Sequence, residues 1–470
     1  MSTPVSDPLE ALPRMGQESW LVGGALRDRL LGRPTGDYDV AVAGDPRATA
    51  RLLARTASGH PFELSEGFGA WRVVSRDRSW QVDLLPLAGE SIEADLAQRD
   101  LTVNAIAQTL SGGDLIDPYG GLRDLRERRL RMVSAQSFAR DPLRALRLVR
   151  LACELGFAIE PRTAAAAARS APALEGVAPE RVFAELKRIL CSDRAVEGLS
   201  LMDELAITPV VLPELSALHG VEQSRFHHLD VYEHTLAVLA EAIELEREPQ
   251  RYLGASADAV GEFLSRPFAN ELNRWQALRF GAVLHDIAKP QTRGVTDEGR
   301  VTFIGHDMVG GHTASAVLAR LRTSDRLAEH VAALARHHLR LGFLVHEMPL
   351  SRRAIYGYLH ACEPVQIDVT VLSVADRLAT RGDRSAEAIA KHLELADQLL
   401  GEALAWYADP PRPPVRGDEL ARALGIAPGP ELGRILADLE EASFAHEIGS
   451  PQEAVERARK LLQGSIGSGR

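Results

Sequence analysis

Asp37 and Asp39 are separated by a single residue and directly precede a short apolar run at 40–42. The run predicts a β-strand, and residues two apart on a strand face the same side, so we expect the two carboxylates to lie together. Carboxylates grouped in this way bind Mg²⁺, usually jointly with the phosphates of a substrate. The pair therefore predicts a catalytic divalent-metal site at this strand.

Two glycines, Gly23 and Gly24, precede this strand and follow an apolar segment. Because glycine has no Cβ, a turn of this kind can bend closely around a phosphate and direct backbone N–H groups at it. Arg27, at the opening of the predicted helix that follows, could meet the same anion with its planar guanidinium group. A plainer interpretation is also open, in which the glycines form an ordinary tight turn and Arg27 pairs with Asp28.

A second set of metal-binding residue types lies in the C-terminal half, in segments of helical composition. His234, the adjacent pair His285 and Asp286, and Asp376 follow one another at wide spacing. Imidazole and carboxylate ligands suit a transition metal such as Ni²⁺, Mn²⁺ or Fe²⁺, and an adjacent His-Asp pair can bind or bridge metals while orienting a water molecule. A single histidine on an apolar helix is usually a core or surface residue, but four residues in this order favour a metal site.

This order resembles that of the HD-domain phosphohydrolases, and the resemblance implies that these four residues bind the metal. His306 and His338 are further candidates, as ligands of a second metal. Lys289, which follows the His-Asp pair, either steadies a phosphate or is simply solvated.

The segments around the first pair of aspartates alternate between helical and strand-like patterns. A helix is predicted over 46–57, and strands over 61–64, 71–74 and 80–85. The last of these strands carries Asp83 between two apolar residues. If it pairs with the strand of Asp37 and Asp39, Asp83 is a third acid near the metals. The alternative is an aspartate that faces solvent on an alternating strand.

Taken together, the glycine pair, Arg27 and the two aspartates resemble motif A of the class II nucleotidyltransferases. This family builds the CCA end of tRNA and includes poly(A) polymerases. The segment 91–110 resembles the family's next motif, with Arg99, Asp100 and Asn104. The resemblance implies that these three residues contact the sugar and phosphates of the incoming nucleotide, where an aspartate can accept hydrogen bonds from ribose hydroxyls.

From Phe138 onward the pattern is helical, and Asp141, Arg144 and Arg147 are predicted to share one face of the helix. Their segment resembles the family's nucleotide-recognition motif, in which an aspartate and an arginine pair with the edge of the base, so that protein side chains replace a template. Arginine supplies donors and aspartate an acceptor, so small rotations could meet the edge of either C or A. The alternative is an arginine-rich helix with an i, i+3 salt bridge.

The sequence departs from the family pattern at three places. Gln98 stands where the family usually has an arginine, which weakens or removes one phosphate contact. Arg140, directly before Asp141, stands where the family usually has an acid. Only a short segment separates Asp83 from Asp95, whereas members that add the whole CCA usually have a longer flexible loop there. The resemblance associates a short loop with enzymes that add C and C and stop before A.

These patterns predict an α+β chain of several domains. We expect a polymerase-β-like nucleotidyltransferase head with a mixed sheet at 1–135 and a helical neck and nucleotide-recognition domain at 136–200. An all-α HD domain at 201–405 and a Pro-rich linker with a helical tail at 406–470 should follow. A chain of 470 residues is too long for one hydrophobic core, which agrees with this division.

Composition limits the class of protein further. With 54 basic and 65 acidic residues, the formal net charge is −11, which argues against indiscriminate coating of nucleic acid but allows a local RNA-binding groove. No apolar run approaches the roughly 18 residues of a membrane helix, so we expect a soluble protein. Three scattered cysteines without a disulfide or metal pattern, and an N-terminus unlike a secretory signal, predict a cytoplasmic location.

We therefore expect a template-independent nucleotidyltransferase that adds C and A to the 3′ end of tRNA from CTP and ATP. Mg²⁺ would bind at Asp37 and Asp39, and the HD domain would be a metal-dependent phosphohydrolase. Three alternatives stay open: an enzyme that adds only C and C, a poly(A) polymerase, and an HD phosphohydrolase whose head merely senses a nucleotide. The sequence predicts no membrane partner and does not indicate an oligomeric state.

Overall fold

The computed structural model describes residues 8–9, 18–65, 69–223, 229–380 and 385–467. The chain forms two compact units, Met1–Val211 and Leu212–Arg470. The four domain ranges given above stay predictions, because a division into two units does not test them. Within the described ranges, no helix is long and apolar enough to cross a membrane.

One sheet organises the first part of the N-terminal unit. Its strands are β1 (Ser19–Val22), β2 (Asp37–Val42), β3 (Gly59–Ser65), β4 (Ala70–Ser75), β5 (Gln81–Pro86), β6 (Ala107–Thr109) and β7 (Leu115–Ile116). In space the order is β3-β4-β5-β2-β1-β6-β7. The β2–β5 pair is parallel and the other neighbouring pairs are antiparallel. The mixed sheet of the predicted α+β fold is confirmed.

Burial along the central strands explains why the acids lie at one end of the sheet. β1 is buried throughout, whereas β2 starts with an exposed Asp37 and a half-buried Asp39 and ends with three buried apolar residues. Ala41 packs in an apolar cluster with Trp20 and Val22 of β1. A one-residue slip of β2 would exchange its buried and exposed faces, so the apolar end fixes the position of the aspartates.

Helices cover and extend this sheet. Those of the N-terminal unit are α1 (Gly23–Leu30), α2 (Pro46–Thr56), α3 (Ile92–Leu96), α4 (Gly121–Arg126), α5 (Ser137–Arg140), α6 (Leu143–Leu155), α7 (Pro161–Ser170), α8 (Pro179–Leu190), α9 (Ala195–Glu204) and α10 (Thr208–Val211). A small parallel pair, β8 (Arg129–Leu130) and β9 (Ala158–Ile159), accompanies them. The helix predicted over 46–57 is confirmed as α2, whose N-cap Asp45 accepts from Arg47 N–H and whose first residue is a proline.

The predicted helix from Phe138 is interrupted, and this corrects the sequence analysis. α5 ends at Arg140, and Asp141 adopts an extended backbone with φ −149° and ψ 101° before α6 begins at Leu143. The cause is Pro142, because the residue before a proline is disfavoured in the helical region. Asp141 therefore precedes the helix that carries Arg144 and Arg147 and is not on one of its turns.

The C-terminal unit is almost entirely helical. Its helices are α11 (Pro213–Ser216), α12 (Val231–Arg247), α13 (Pro249–Tyr252), α14 (Ala257–Leu264), α15 (Arg274–Leu284), α16 (Lys289–Thr292), α17 (His306–Arg320), α18 (Asp325–His337), α19 (Arg340–Leu344), α20 (Arg352–Ala361), α21 (Gln366–Ala379), α22 (Ser385–Ala408), α23 (Gly417–Leu424), α24 (Pro430–Phe444) and α25 (Pro451–Gly467). Two short hairpins pair β10 (Pro267–Ala269) with β11 (Leu272–Asn273), and β12 (Arg293–Val295) with β13 (Val301–Phe303). The helices α23, α24 and α25 enclose an apolar cluster of their own, to which Leu420, Leu439 and Ala458 contribute.

A buried ion pair ties α15 to α21. The carboxylate of Asp368, which is fully buried, accepts from Nε and Nη2 of Arg274 at 3.0 and 2.6 Å. We expect Asp368→Ala to lower the free energy of unfolding by about 3–5 kcal/mol, because Arg274 would keep a buried charge without a partner. Urea unfolding followed by circular dichroism measures this, with the exposed Glu329→Ala on α18 as control. A loss below about 1 kcal/mol would contradict the prediction.

Candidate functional site

A cavity of about 760 Å³ lies in the N-terminal unit beside the polar end of β2. Glycines, acids and arginines line it. The site residues predicted from the sequence that border it are Gly23, Gly24, Arg27, Asp37, Asp39, Arg99, Asp100, Asn104, Arg144 and Arg147. Asp83 and Asp141 do not belong to its lining. The structure thus brings most of the predicted residues together, although their catalytic and binding roles stay predictions.

Asp37 and Asp39 lie two residues apart on β2, and both line the cavity. Asp39 accepts a hydrogen bond from the Gly24 N–H. Burial raises the pKa of Asp39, Arg99 lowers it, and the carboxylates of Asp83 and Asp37 raise it, so that it stays above its ordinary value. Carboxylates that repel one another in a buried site are stabilised by a shared divalent cation. The residues present therefore fit a magnesium-type metal.

The strand register places Asp83 directly beside Asp39. In the parallel β2–β5 pair Asp39 is the partner of Asp83, and in the antiparallel β4–β5 pair Arg72 is the partner of Asp83. Arg72 donates from Nε and Nη2 to the two carboxylate oxygens of Asp83 at 2.6 and 2.7 Å. Asp83 is therefore close to the predicted metal site, but both its oxygens are engaged. Arg72 was not predicted as a site residue.

Gly23 lies where a side chain would meet Asp39 and Arg99. Its φ is +69°, and a Cβ built on it would lie 2.8 Å from Asp39 Oδ2 and 3.0 Å from Arg99 Nη1. Both values are too short for a carbon atom in van der Waals contact. The absence of a side chain at this position therefore allows Asp39 and Arg99 to occupy the space above the start of α1.

We expect Gly23→Ala to reduce kcat/KM for nucleotide addition at least about tenfold, because the methyl group would displace the Asp39 carboxylate. Gly32→Ala is a matched control: Gly32 also has a positive φ, +68°, but an added Cβ would meet no heavy atom within 4 Å. Both substitutions carry similar backbone strain, so the difference in activity between them reports the contact of the added methyl group with Asp39. Equal activity of the two variants would contradict a role for this approach.

Arg27, Asn104 and Asp100 form a buried chain of hydrogen bonds. Arg27 Nη1 donates to Asn104 Oδ1 at 2.8 Å, and Asn104 Nδ2 donates to Asp100 Oδ1 at 3.0 Å. Arg27 also holds Asp28 through Nε and Nη2, both at 2.9 Å, as the plainer interpretation predicted. Burial raises the pKa of Asp100, but Arg147, Asn104 and the Leu101 N–H together hold it below its ordinary value. Asp100 therefore stays an ionised acceptor at the cavity.

Hydrogen bonds and an ion pair of Asp95, Gln98 and Arg99 hold the short segment that follows β5. Arg99 pairs with Asp95 at 2.9 Å, and Asp95 accepts from the Ala88 N–H at 3.1 Å. The Gln98 amide donates to the Ala88 carbonyl. The side chain that replaces the family's usual arginine thus supports the loop while it borders the cavity.

The predicted recognition residues Arg144 and Asp141 contact different partners. Arg144 Nη2 donates to the Gln98 carbonyl at 2.8 Å and its Nη1 to the Ser137 carbonyl at 3.2 Å. Asp141 instead accepts from Arg181 Nη2 on α8 at 2.8 Å. The i, i+3 salt bridge considered as an alternative is therefore not formed by Asp141 in this structure.

The row of arginines in the cavity is longer than predicted. Arg147 lies between Asp100 and Glu185, at 3.5 and 3.3 Å. Arg150, one turn on, contacts Glu185 Oε2 at 2.6 Å. Sequence analysis did not include Arg150 or Arg188, which also line the cavity, although the i, i+3 spacing of Arg144 and Arg147 continues to Arg150.

The C-terminal unit contains a second cluster, made of the six residues predicted as HD-site ligands. Their ligand atoms form two groups whose members lie within 4.8 Å of one another: His234, His285 and Asp376, and Asp286, His306 and His338. Asp286 is the link between the groups, since its oxygens lie 3.1 Å from His285 Nε2 and 3.2 Å from His306 Nε2. Helix ends supply three of the six: His306 begins α17, and His285 and His338 follow α15 and α18.

Hydrogen bonds to the backbone turn the imidazoles toward this centre. Nδ1 of His285, His306 and His338 lies 2.9, 2.7 and 2.7 Å from the carbonyl three residues earlier. A carbonyl only accepts, so each Nδ1 carries a proton and each Nε2 is left as the ligand atom. Burial lowers the pKa of His338 to about 4, so this side chain is neutral near pH 7.

Unsatisfied buried atoms show that these residues fit a metal. His285 Nε2 and Asp286 Oδ1 are buried and form no hydrogen bond with the residues that the structure describes. Burial raises the pKa of Asp286, but His285 and Lys289 hold it well below its ordinary value. His306 Nε2 and His338 Nε2 lie 3.4 Å from each other. Imidazole nitrogens grouped around an ionised carboxylate are the donor set of a transition-metal site.

Two further residues, Lys289 and His392, lie beside this cluster. Lys289 is buried, and its Nζ lies 2.6 Å from Asp286 Oδ2 and 2.7 Å from Gln223 Oε1, so the interpretation as a solvated lysine is wrong. A cavity of about 330 Å³ beside the cluster is also lined by His392 of α22. His392 was missed, because it lies beyond the four residues of the ordered pattern.

Three family models match the chain. The poly A polymerase head domain matches 19–85 and 72–131, the probable RNA and SrmB-binding site of polymerase A matches 156–218, and the HD domain matches 231–381. The head-domain ranges include the glycines and aspartates that line the cavity beside β2, whereas the lining arginines from Arg140 to Arg150 lie between the matched ranges. The HD range includes all six residues of the cluster around Asp286.

The relatives are similar over nearly their whole length. The A-adding tRNA nucleotidyltransferase of Deinococcus radiodurans is 36% identical over 464 residues, which cover 97% of this chain and 98% of the relative. The CC-adding tRNA nucleotidyltransferase of Thermus thermophilus is 36% identical over 462 residues, covering 97% and 94%. A solved CCA-adding enzyme in complex with CTP shares the fold, with a TM-score of 0.65 at 20% identity and coverage of 97% and 94%. The chain belongs to the family of tRNA nucleotidyltransferases that combine a poly(A) polymerase head with an HD domain.

Proposed function

We propose that this chain adds C and A residues from CTP and ATP to the 3′ end of tRNA without a nucleic-acid template. One observation carries the proposal: Asp37 and Asp39 border the same 760 Å³ cavity as the glycine pair and the arginines of α6. Metal acids, a phosphate-binding turn and base-recognising side chains are the three parts that such a reaction needs.

Asp37 and Asp39 would hold Mg²⁺, which when bound supplies charge stabilisation to the transferred phosphoryl group. Gly23 and Gly24, the first residues of α1, line the cavity, and the start of this helix would bind the triphosphate. Arg27 and Arg99 add positive charge beside them. The residues that bind the substrate are thus held in place before the nucleotide arrives.

Asp100 would bind the sugar of the nucleotide, and Arg144 with Asp141 would recognise its base. Asp100, kept ionised and oriented by Asn104 and Arg147, is suited to accept from ribose hydroxyls. Arg144, with Asp141 nearby in sequence, would recognise the base edge. In this structure Asp141 is held by Arg181, so base recognition through the Asp141 carboxylate requires that it exchange this partner for the nucleotide.

The short loop favours a second candidate, an enzyme that adds only C and C. β5 ends at Pro86 and α3 begins at Ile92, and Ala88 between them is held by both Asp95 and Gln98. The similarity to relatives does not decide, because those named A-adding and CC-adding are equally identical to this chain. The difference must be measured.

The test is incubation of the purified chain with four transcripts of one tRNA, ending at the discriminator base, in C, in CC or in CCA. CTP and ATP are supplied separately and together. The proposal predicts extension of the first three to CCA and no extension of the fourth. Arrest after CC would support the second candidate, extension of CC alone would indicate A addition, and long products from ATP would indicate poly(A) synthesis.

We infer a metal-dependent phosphohydrolase activity for the HD cluster. The six ligand residues would hold a transition metal, of which Ni²⁺, Mn²⁺ and Fe²⁺ suit the imidazole and carboxylate donors. Lys289 beside Asp286 would add positive charge for a phosphate. The opposite alternative, a phosphohydrolase whose head only senses nucleotides, predicts phosphate release without any extension of tRNA.

We also infer that the chain acts in the cytoplasm. Cys153, Cys191 and Cys362 are free, and two of them are buried, which suits a reducing compartment. tRNA, CTP and ATP would be its partners there.

A further inference from the structure

Arg377 is a cation beside the HD cluster that the proposed reaction does not use. It follows the ligand residue Asp376 on α21 and lines the cavity of about 330 Å³, which five of the six ligand residues also border. Ser373 and Thr380 of the same helix line this cavity too. Positions 373, 376, 377 and 380 have the spacing of one helix face. This face of α21 therefore presents a metal ligand and a positive charge side by side.

The guanidinium group of Arg377 lacks a partner within the part of the chain that the structure describes. Its Nε is buried and forms no hydrogen bond there, and its side chain forms no ion pair with a described carboxylate. An arginine keeps its charge in a folded protein, and burying part of that charge unpaired is costly. The carboxylates that line the cavity, Asp286 and Asp376, both belong to the metal cluster. An anion that enters the cavity would supply the missing partner.

Lys289, the other cation of this cavity, is already engaged. Its Nζ lies 2.6 Å from Asp286 Oδ2 and 2.7 Å from Gln223 Oε1, so its charge is compensated by a metal ligand. Arg377 has no such compensation. A planar guanidinium group can also donate to two oxygens of one phosphate, which an ammonium group cannot do in the same fixed geometry. Arg377 is thus the better suited of the two cations to bind a substrate phosphate.

We propose that Arg377 binds the phosphate group of the substrate in the HD cavity and is a catalytic residue of that site. The inference rests on the proposed function, the phosphohydrolase activity of the HD cluster. In hydrolysis a P–O bond to water forms, the P–O bond to the leaving group breaks, and the released alcohol takes up a proton from that water. Arg377 takes part in no bond change. It orients the phosphate and stabilises its negative charge.

The first test measures phosphate binding without any reaction. The full chain carries Asp39→Ala, so that the predicted metal site on β2 does not contribute, and Mn²⁺ is added below the protein concentration. Inorganic phosphate is titrated, and the Mn²⁺-dependent broadening of its ³¹P resonance gives the Kd. Broadening falls steeply with distance, so it reports phosphate close to the metal. The part of the broadening that is lost in His285→Ala defines binding at the HD cluster.

Loss of the guanidinium group should weaken phosphate binding but not metal binding. Arg377→Met should raise the Kd for phosphate about tenfold and lower kcat/KM for p-nitrophenyl phosphate about 100-fold. Arg377→Lys should lie between this variant and the parent, because it keeps the charge but not the planar fork. Mn²⁺ binding should be unchanged or tighter, because a nearby positive charge repels the cation. The exposed Arg293→Met on β12, outside the cavity lining, is the matched control and should change none of these values.

The outcomes separate this proposal from its alternatives. Unchanged phosphate Kd values, with or without a lowered melting temperature, would show a structural arginine and overturn it. Weaker Mn²⁺ binding by Arg377→Met would show that the residue acts through the metal cluster, which also overturns it. If Arg377→Met does not fold, the phosphate Kd of Arg377→Lys decides. A parent chain that binds phosphate near Mn²⁺ but hydrolyses no phosphomonoester would contradict the phosphohydrolase activity, whereas the binding role of Arg377 would still be decided by the Kd values.

Discussion

Asp39→Ala should abolish nucleotide addition, with a fall in kcat of at least about 10³-fold. Asp39 lies at the polar end of β2, accepts from the Gly24 N–H and borders the same cavity as Asp37. Removal of its carboxylate takes away one of the two groups that would hold Mg²⁺ and the hydrogen-bond partner of the Gly24 N–H, where we predict phosphate binding. The measurement is the single-turnover rate of labelled CTP incorporation into tRNA.

The same substitution should leave the fold intact. Burial and neighbouring carboxylates raise the pKa of Asp39 above its ordinary value, so the ionised side chain opposes folding at pH values above that raised pKa. Its removal should therefore leave the melting temperature near pH 7 unchanged or raise it. Asp114→Ala, at an exposed aspartate outside the cavity lining, is the matched control and should keep full activity. Persistent incorporation by Asp39→Ala would refute the assignment of this acid.

His285→Ala should remove metal-dependent phosphate release while nucleotide addition stays within about twofold of the parent. His285 is fully buried, with Nε2 3.1 Å from Asp286 Oδ2. Loss of one imidazole ligand should lower both the transition-metal content and the rate of hydrolysis of a generic phosphomonoester at least about 100-fold. Metal content is measured by elemental analysis after dialysis, and phosphate release by a colorimetric assay with Ni²⁺, Mn²⁺ or Fe²⁺ added.

His312→Ala is the matched control for that variant. His312 lies on α17, as His306 does, but it is exposed. It should retain metal and activity. If His285→Ala lost nucleotide addition as well, the two sites would not be separable, and unchanged phosphate release would show that the cluster is not the hydrolytic site.

Local patterns were enough to predict the strand that begins with the two aspartates. The glycines predicted as a turn before a helix are instead the first two residues of α1, and Arg27, predicted at the opening of that helix, lies in its last turn. The apolar run after Asp39 is a strand, and the two aspartates lie at its exposed end because the opposite end is buried. The position of Asp83 could only be given as one of two alternatives, because strand pairing is a long-range property. Arg72 was missed for the same reason, since its partnership with Asp83 depends on the register between β4 and β5.

In the predicted nucleotide-recognition segment that begins at Phe138, the prediction did not take Pro142 into account. Helical periodicity predicted one continuous helix, but Pro142 interrupts it and separates Asp141 from Arg144 and Arg147. The HD cluster was predicted more completely, since all six residues lie together. The order of histidines and aspartates could not predict which side chains are buried. Lys289, for which solvation had been considered, is buried and contacts Asp286.

Transfer of a labelled nucleotide tests the central claim most directly. Wild-type chain is incubated with Mg²⁺, α-³²P-CTP and a tRNA that ends at the discriminator base, with no other nucleic acid present, and the products are separated by length. We predict labelled tRNA one and two nucleotides longer than the substrate, and none with Asp39→Ala. Failure of the wild-type chain to label this tRNA, or equal labelling by Asp39→Ala, would contradict nucleotide addition at the acids of β2.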